Sequence, residues 1–111
     1  MRLYLAGPMR GIIYNNFPAF DREAIVLRSF GHEVFNPAER DRATYGVDIE
    51  IWNEKEAAAN GFSIRDALKA DLSWICDNAE GIAMLPGWEK SAGAKTEWAL
   101  AVALGLDIRY L

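Results

Sequence analysis

The sequence is poor in the two residue types on which most zinc and redox sites depend. It contains one cysteine, Cys76, and one histidine, His32. No disulfide can form within the chain, and the usual His/Cys set of zinc ligands cannot be assembled. A Ser-His-Asp relay is also disfavoured, because no Gly-x-Ser-x-Gly elbow accompanies the histidine. We therefore expect Cys76 to be a packing residue, His32 to be structural, and the setting to be reducing and cytoplasmic.

Long apolar runs are absent as well. No stretch approaches the roughly 18 residues of a membrane span, and the first apolar run is too short for a signal peptide. The Gly-x-Gly-x-x-Gly and P-loop motifs are missing, which excludes the standard dinucleotide and NTP sites. The net charge of −4 argues against a surface that coats nucleic acid, but it allows a pocket for one nucleotide. What the chain does have is 51% hydrophobic residues over 111 positions, enough for a single domain spanning residues 1–111.

Short apolar runs alternate with helical patterns along the chain. Strands are predicted at residues 3–6, 32–35, 81–85 and 107–110, and helices at about 16–30, 63–76 and 91–105. Residues 38–47 are polar and predict a loop, and residues 48–59 predict an irregular helix. The order indicates an α/β domain, a flavodoxin- or Rossmann-like three-layer sandwich with a parallel sheet of four or five strands.

Parallel sheets of this kind bind ligands beyond the carboxyl ends of their strands. The loops that follow the first three strands, namely residues 7–14, residues 36 onward and residues 86–91, should meet there. The first of these loops begins with Gly7, Pro8, Met9, Arg10 and Gly11. Its glycines let the backbone approach a ligand, and the planar fork of Arg10 suits phosphate. A tight turn with a solvated arginine explains the same residues.

One carboxylate, Glu97, lies about two turns into the Ala-rich helix of residues 91–105. A carboxylate on a largely buried helix is costly unless something uses or pairs it. The sequence alone leaves two interpretations open. Glu97 is either a group that acts at the ligand-binding edge or a surface acid paired with Lys90 or Arg109.

A second acid, Asp71, borders the apolar face of the helix at residues 63–76, between Leu68 and Ile75. It either reaches into the cleft or pairs on the surface with Lys69 or a nearby arginine. Trp88, in the loop after the third strand, either stacks on a base or belongs to the core or an interface.

Together these segments resemble the nucleoside 2-deoxyribosyltransferase superfamily, particularly its small branch typified by domain of unknown function 4406. The resemblance covers almost the whole chain. It rests on Tyr-Leu-Ala-Gly-Pro-Met-Arg-Gly at 4–11, Asn-Phe-Pro-Ala-Phe at 16–20, Gly-His-Glu-Val-Phe-Asn-Pro at 31–37, Leu-Pro-Gly-Trp at 85–88 and Ser-Ala-Gly-Ala-Lys-Thr-Glu at 91–97.

The resemblance implies a role for each matching residue. Glu97 matches the nucleophile, Tyr4 the tyrosine that orients it, and Asp71 the aspartate that contacts the nucleoside. Superfamily transferases acting on free nucleosides have an acidic residue six positions before the nucleophile, where this chain has Ser91. The related 2′-deoxynucleoside 5′-monophosphate N-hydrolases have a serine there and an arginine in the first loop, and both touch phosphate. Ser91 and Arg10 match that pattern, and a carboxylate would repel a phosphate dianion.

The implied activity is cleavage of the N-glycosidic bond of a nucleoside 5′-monophosphate, preferably 2′-deoxy, through a glycosyl-Glu97 intermediate resolved by water or an acceptor base. Gly93 and Trp88 join the first loop as expected substrate-binding residues. No metal or organic cofactor is needed, and the expected partner is a small nucleotide or nucleoside, with no nucleic acid polymer and no membrane. The resemblance also implies a homodimer or larger homo-oligomer.

Two alternatives to the enzyme remain, a nucleotide-binding or sensing module without turnover and a ligand-free interaction domain. Residues 38–62 match no motif of the superfamily, so base identity stays open.

Overall fold

The chain folds as an α/β domain with four strands and five α-helices, seen in a computed structural model that describes all 111 residues. The strands are β1 (Arg2–Ala6), β2 (Glu33–Phe35), β3 (Gly81–Met84) and β4 (Asp107–Tyr110). The α-helices are α1 (Phe17–Ser29), α2 (Pro37–Tyr45), α3 (Glu54–Ala59), α4 (Ile64–Asn78) and α5 (Ala92–Leu104), and short 3₁₀ helices lie at Ile13–Asn16, Val47–Ile51 and Trp88–Lys90.

The four strands form one parallel sheet in the order β2-β1-β3-β4. The chain leaves β1 toward β2 on one side and later returns to place β3 on the other. The gap between the carboxyl ends of β1 and β3 is therefore the topological switch point, where open α/β sheets bind ligands.

Alternating side chains on the central strand divide the interior into two cores. Leu3 and Leu5 of β1 face one core, which α1 and α2 cover, whereas Tyr4 and Ala6 face the other, which α4 and α5 cover. Because successive strand residues point to opposite faces, a fully buried apolar strand needs helices on both sides. The three-layer parallel architecture predicted from the sequence is confirmed, with four strands.

The predicted loop at 38–47 is wrong, since most of these residues form helix α2. The Asn36 side chain caps this helix by accepting a hydrogen bond from the Ala38 amide at 3.0 Å, and Pro37 occupies the first turn. Gly46, with φ of +96°, ends it. The pattern was missed because α2 buries few side chains, one of them Asp41, and so has no apolar stripe.

The remaining differences are smaller. The irregular helix predicted at 48–59 is a 3₁₀ turn followed by α3, and α4 runs two residues further than predicted, to Asn78. Cys76 is exposed, so its prediction as a packing residue is wrong. His32 precedes β2 and its ring contacts the Arg109 guanidinium at 3.2 Å. None of the helices is long and apolar enough to cross a membrane.

Candidate functional site

A cavity of about 620 Å³ opens beyond the carboxyl ends of β1 and β3. This volume is within the roughly 300–1,000 Å³ of small-molecule sites. All three segments expected at this edge line the cavity. They contribute Gly7 to Arg10 after β1, Pro37 and Arg40 after β2, and Pro86, Gly87, Lys90 and Ser91 after β3. The site therefore lies where the strand order predicts a ligand.

Two glycines allow the first and third loops to approach each other at the cavity floor. A Cβ atom on Gly7 would lie 2.6 Å from Cβ of Leu85, a distance that real side chains do not adopt. Gly87 has a φ of +87°, a backbone conformation that residues with a side chain rarely adopt. The first loop can therefore pack against Leu85 only without a side chain at Gly7, whereas Gly87 is required by the conformation of its own turn.

Glu97 reaches the cavity because it shares the inward face of α5 with two alanines. Ala94 and Ala101 are buried one turn to either side of it, and their small side chains let α5 pack closely against the sheet. Glu97 itself is only 6% exposed, and its Oε2 accepts a hydrogen bond of 2.5 Å from the Tyr4 hydroxyl. The alternative in which Glu97 is a surface acid paired with Lys90 or Arg109 is wrong.

The surroundings of Glu97 favour its neutral form. Burial raises its pKa to about 8, and the nearby charge of Asp71 acts in the same direction. The Tyr4 hydrogen bond and the Arg40 guanidinium oppose this rise. Burial also raises the pKa of Tyr4 well above its usual value, aided by the charges of Glu97 and Asp71, so Tyr4 stays a hydrogen-bond donor.

Asp71 projects from α4 into the same group of side chains and is 7% exposed. Its nearest cation is Arg40, with Nη2 at 3.6 Å from Oδ1. Burial raises the pKa of Asp71, while Arg40 and the Tyr4 hydroxyl lower it. Asp71 therefore reaches into the cleft, and its arginine partner lies on the same cavity rather than on the surface.

Arg40 and Asp41, both from α2, complete the polar wall of the cavity. Arg40 Nη2 donates a hydrogen bond to Asp41 Oδ1 at 3.0 Å. Burial raises the pKa of Asp41 to about 6, against the attraction of Arg40 and together with the repulsion of Asp71. Two buried polar atoms of this wall, Arg40 Nε and Asp71 Oδ1, have no hydrogen-bond partner.

Arg40 and Asp41 were not expected at the site, because their segment was predicted to be a loop. The Asn36-Pro37 pair is a helix-start signal that could have found them. From that start, Ala38, Asp41 and Tyr45 fall at helical spacing on one face.

The first loop places four of its five expected residues on the cavity. Gly7, Pro8, Met9 and Arg10 line it, whereas Gly11 borders a separate shallow groove. Arg10 is exposed, and its Nη1 lies 3.2 Å from Oε1 of Glu54 on α3. It is thus at the cavity mouth in an ion pair rather than simply solvated.

The segment between α2 and α4 forms a further wall of the cavity. Trp52 and Phe62 line this wall. Asn15 fixes the segment by donating from Nδ2 to the carbonyl oxygens of Ile49, Glu50 and Trp52 at 3.0–3.3 Å. Tyr14, Asn15 and Asn16 all have positive φ, an unusual run for residues with side chains. The contacts of Asn15 hold this turn in place.

The third loop brings the start of α5 to the cavity. Ser91, Ala92, Gly93 and Ala94 line it, and Ser91 Oγ caps the helix by accepting the Ala94 amide at 3.2 Å. A helix N-terminus presents free N–H groups and a positive dipole end to this space.

Trp88 does not line the cavity, and the structure places it in a different environment. Its ring stacks on Trp98 of α5 with a centroid separation of 5.4 Å and lies 6.0 Å from Tyr110 of β4. The positive φ of Gly87 turns the chain so that Trp88 starts a 3₁₀ helix and packs on α5. Of its two interpretations, the packing one describes this arrangement.

Comparison with known proteins gives a family but no activity. The sequence model of the family described as "Domain of unknown function (DUF4406)" matches residues 1–110. The chain belongs to the DUF4406 family. No curated protein matches it, and no solved structure matches it. The wider resemblance to the nucleoside 2-deoxyribosyltransferase superfamily stays a prediction.

In this DUF4406 chain the site brings Tyr4, Asp71 and Glu97 together from β1, α4 and α5, with Ser91 and Gly93 on the same cavity. No group of three or more His, Cys, Asp and Glu side chains is arranged to hold a metal ion. The arrangement offers a polarised carboxyl group, two further acids of raised pKa and a helix N-terminus, all facing one cavity.

Proposed function

We propose that this protein cleaves the N-glycosidic bond of a nucleoside 5′-monophosphate, preferably a 2′-deoxynucleotide, with Glu97 as the nucleophile. The observation that carries this proposal is the 2.5 Å hydrogen bond from Tyr4 to a buried Glu97 on a cavity at the switch point of the sheet. A carboxylate oriented by a tyrosine and placed near a second acid suits a retaining glycosidase-type mechanism.

In the first half-reaction an oxygen of ionised Glu97 attacks the anomeric carbon. Tyr4 holds Oε2, which leaves the other oxygen free to form the ester bond. As that bond forms, the C–N bond breaks and its electron pair goes to the base. Because burial raises the pKa of Glu97 to about 8, the attacking form increases as pH rises toward that value.

The departing base takes a proton as its bond breaks. Asp71 is the candidate donor, because it lines the cavity and burial raises its pKa. In the second half-reaction a water oxygen attacks the anomeric carbon, the ester bond to Glu97 breaks, and the water gives up a proton to Asp71. An acceptor base attacking in place of water yields a new nucleotide.

The phosphate end is assigned to the mouth of the cavity, where Arg10 and Ser91 lie. Ser91 Oγ accepts the Ala94 amide, so its own proton is free to bond a phosphate oxygen. The amides of Ala92 and Gly93 in the first turn of α5 add donors for an anion. Arg10 is exposed, and its ion-pair partner is the similarly exposed Glu54. A phosphate dianion can replace Glu54 as that partner at a small cost in free energy.

The base is assigned to the wall formed by Trp52 and Phe62, because aromatic side chains provide stacking surfaces for bases. This wall belongs to the segment that matches no superfamily motif. It therefore supports a base pocket without selecting one base.

Release of free base tests the proposal. The protein is incubated with a panel of deoxy- and ribonucleoside 5′-monophosphates, with and without an acceptor base, and products are separated by chromatography. We expect base release that Glu97→Gln abolishes. Release from none of the substrates would exclude the enzyme, and a thermal-shift screen with the same nucleotides would then separate a binding module from a ligand-free domain.

The assembly state and compartment belong to the same proposal. A homodimer or larger assembly would cover exposed apolar side chains such as Ile13, Val47 and Phe30. Light scattering after size-exclusion chromatography measures the mass directly, and a monomer at all concentrations would contradict this part. A reducing, cytoplasmic location is supported by the single cysteine.

A further inference from the structure

One guanidinium is shared unequally between two buried carboxylates on the cavity wall. Arg40 Nη2 makes a 3.0 Å hydrogen bond to Asp41 Oδ1 but lies 3.6 Å from Asp71 Oδ1. The second distance is too long for a hydrogen bond. Asp71 Oδ1 accordingly has no hydrogen-bond partner, although it is buried beside a cation.

The acid at position 41 is the nearer partner of the guanidinium. Asp41 and Arg40 are neighbours on α2, whereas Asp71 comes from α4, so the local pair is formed within one helix. If the charge at position 41 were removed, the nearest remaining carboxylate for the guanidinium would be Asp71. A closed, charge-assisted pair would then hold Asp71 in its ionised form.

We infer that Asp41 and Arg40 are positioning residues for Asp71. Asp41 keeps the Arg40 guanidinium from forming a closed ion pair with Asp71, so that Asp71 can carry a proton. The inference rests on the proposed function, in which Asp71 protonates the departing base. The proton moves from the Asp71 carboxyl group to a base nitrogen as the C–N bond breaks. The nearby Arg40 guanidinium then stabilises the Asp71 carboxylate that remains.

The other charged groups around the pair are consistent with this role. Asp71 faces the Tyr4 hydroxyl of β1 and Glu97 of α5. Because the two carboxylates repel each other, the ionised Glu97 of the reacting enzyme favours a proton on Asp71. Arg42, further along α2, is hydrogen-bonded to Asp21 at 2.8 Å and so is engaged elsewhere. Arg40 is therefore the cation that balances Asp41 and Asp71, and burial opposes ionisation of both acids.

The test compares two substrates that differ in their need for a proton. A purine deoxynucleoside 5′-monophosphate must have its base protonated as it leaves, whereas its N7-methylated counterpart loses an uncharged base without help. For Asp41→Asn we expect a loss of at least about tenfold in kcat on the unmodified nucleotide and a change within about twofold on the methylated one. Asp48→Asn, at an exposed acid that does not line the cavity, serves as the matched control.

Equal losses on both substrates would mean that Asp41 only supports the fold, and no loss on either would mean that it does not act on Asp71. Each result overturns the inference. If the wild-type protein releases base from neither purine nucleotide, the nucleotide panel decides the proposed function, and a carbon-13 NMR titration of the Asp71 carboxyl group decides the positioning claim without turnover. We expect the pKa of Asp71 to be lower in Asp41→Asn and higher in Arg40→Met than in the wild type. Shifts in the same direction, or none, would overturn the inference, and Arg40→Met carries the test if Asp41→Asn fails to fold.

Discussion

Tyr4 and Glu97 are 93 positions apart in the chain, yet the tyrosine hydroxyl lies 2.5 Å from the glutamate Oε2. The contact joins β1, one of the two central strands, to the last helix, α5, at the switch point between β1 and β3. Tyr4 is completely buried and stacked on Phe35 at 5.3 Å, so its position is set by the core. Glu97 is thus oriented by a rigid partner.

Removing this partner should shift the pH dependence of the reaction. The Tyr4 hydrogen bond lowers the pKa of Glu97, so Tyr4→Phe should raise that pKa above about 8. The ascending limb of kcat/KM, which follows ionisation of Glu97, should then move to higher pH, and activity at pH 7 should fall by about tenfold. Full pH–rate profiles of both proteins measure this. A limb at the same pH in both would show that the hydroxyl does not act on Glu97.

Glu97 should also make stability depend on pH. Its pKa is raised from 4.5 to about 8 by folding, so the native state binds more protons than the unfolded state between these values. The free energy of unfolding should therefore decrease as pH rises across that window. Glu97→Gln, which cannot ionise, should show a smaller decrease, and its gain over the wild type should grow with pH up to about 8 and level off above it. Urea unfolding at several pH values tests this, and parallel curves would contradict it.

Ser91→Asp should separate the phosphate contact from the helix cap. Aspartate caps helices about as well as serine, so the fold should keep its stability within about 0.5 kcal/mol. The added carboxylate should repel a phosphate dianion and raise KM for nucleoside monophosphates by about tenfold or more, while KM for free nucleosides stays nearly unchanged. Steady-state kinetics on a matched nucleotide and nucleoside make the comparison. An equal effect on both substrates would remove Ser91 from the phosphate site.

Gly7→Ala should destabilise the domain at the cavity floor. The new Cβ would meet Leu85 Cβ at 2.6 Å, and the resulting overpacking should cost about 1–3 kcal/mol in the free energy of unfolding. Gly93→Ala is the matched control, because its Cβ would find its nearest neighbour at 3.9 Å inside a helix. That change should be neutral or stabilise by up to about 1 kcal/mol. Similar losses in both variants would contradict the packing argument.

The strands, the loops at one edge of the sheet and Glu97 could be predicted from the sequence, because strong local patterns specify them. Apolar runs located the strands, and their order with the intervening helices placed three loops at one edge of the sheet. The energetic cost of burying a carboxylate on an Ala-rich helix identified Glu97 as a candidate site residue. Spacing along the sequence could not predict that its side chain would contact Tyr4. That contact depends on strand order and on the register between β1 and β3, which the sequence does not state.

Two parts of the site lay beyond the sequence patterns. Helix α2 was missed because its inward face contains an aspartate where a stripe of apolar residues is expected, so Arg40 and Asp41 were not placed on the cavity. Trp88 was assigned to the cleft because it lies in the correct loop, but the direction of its side chain follows from the backbone turn at Gly87. Loop membership predicts which segment reaches a site, and backbone conformation decides which side chains do.

The most direct test of the account is to trap the covalent intermediate. The wild-type protein is mixed with an active 2′-deoxynucleoside 5′-monophosphate, quenched rapidly in acid, digested and examined by mass spectrometry. The account predicts that the peptide containing Glu97 gains the mass of one deoxyribose 5-phosphate unit, and that Glu97→Gln shows neither this adduct nor base release. Base release that persists in Glu97→Gln, or an adduct on another residue, would contradict it.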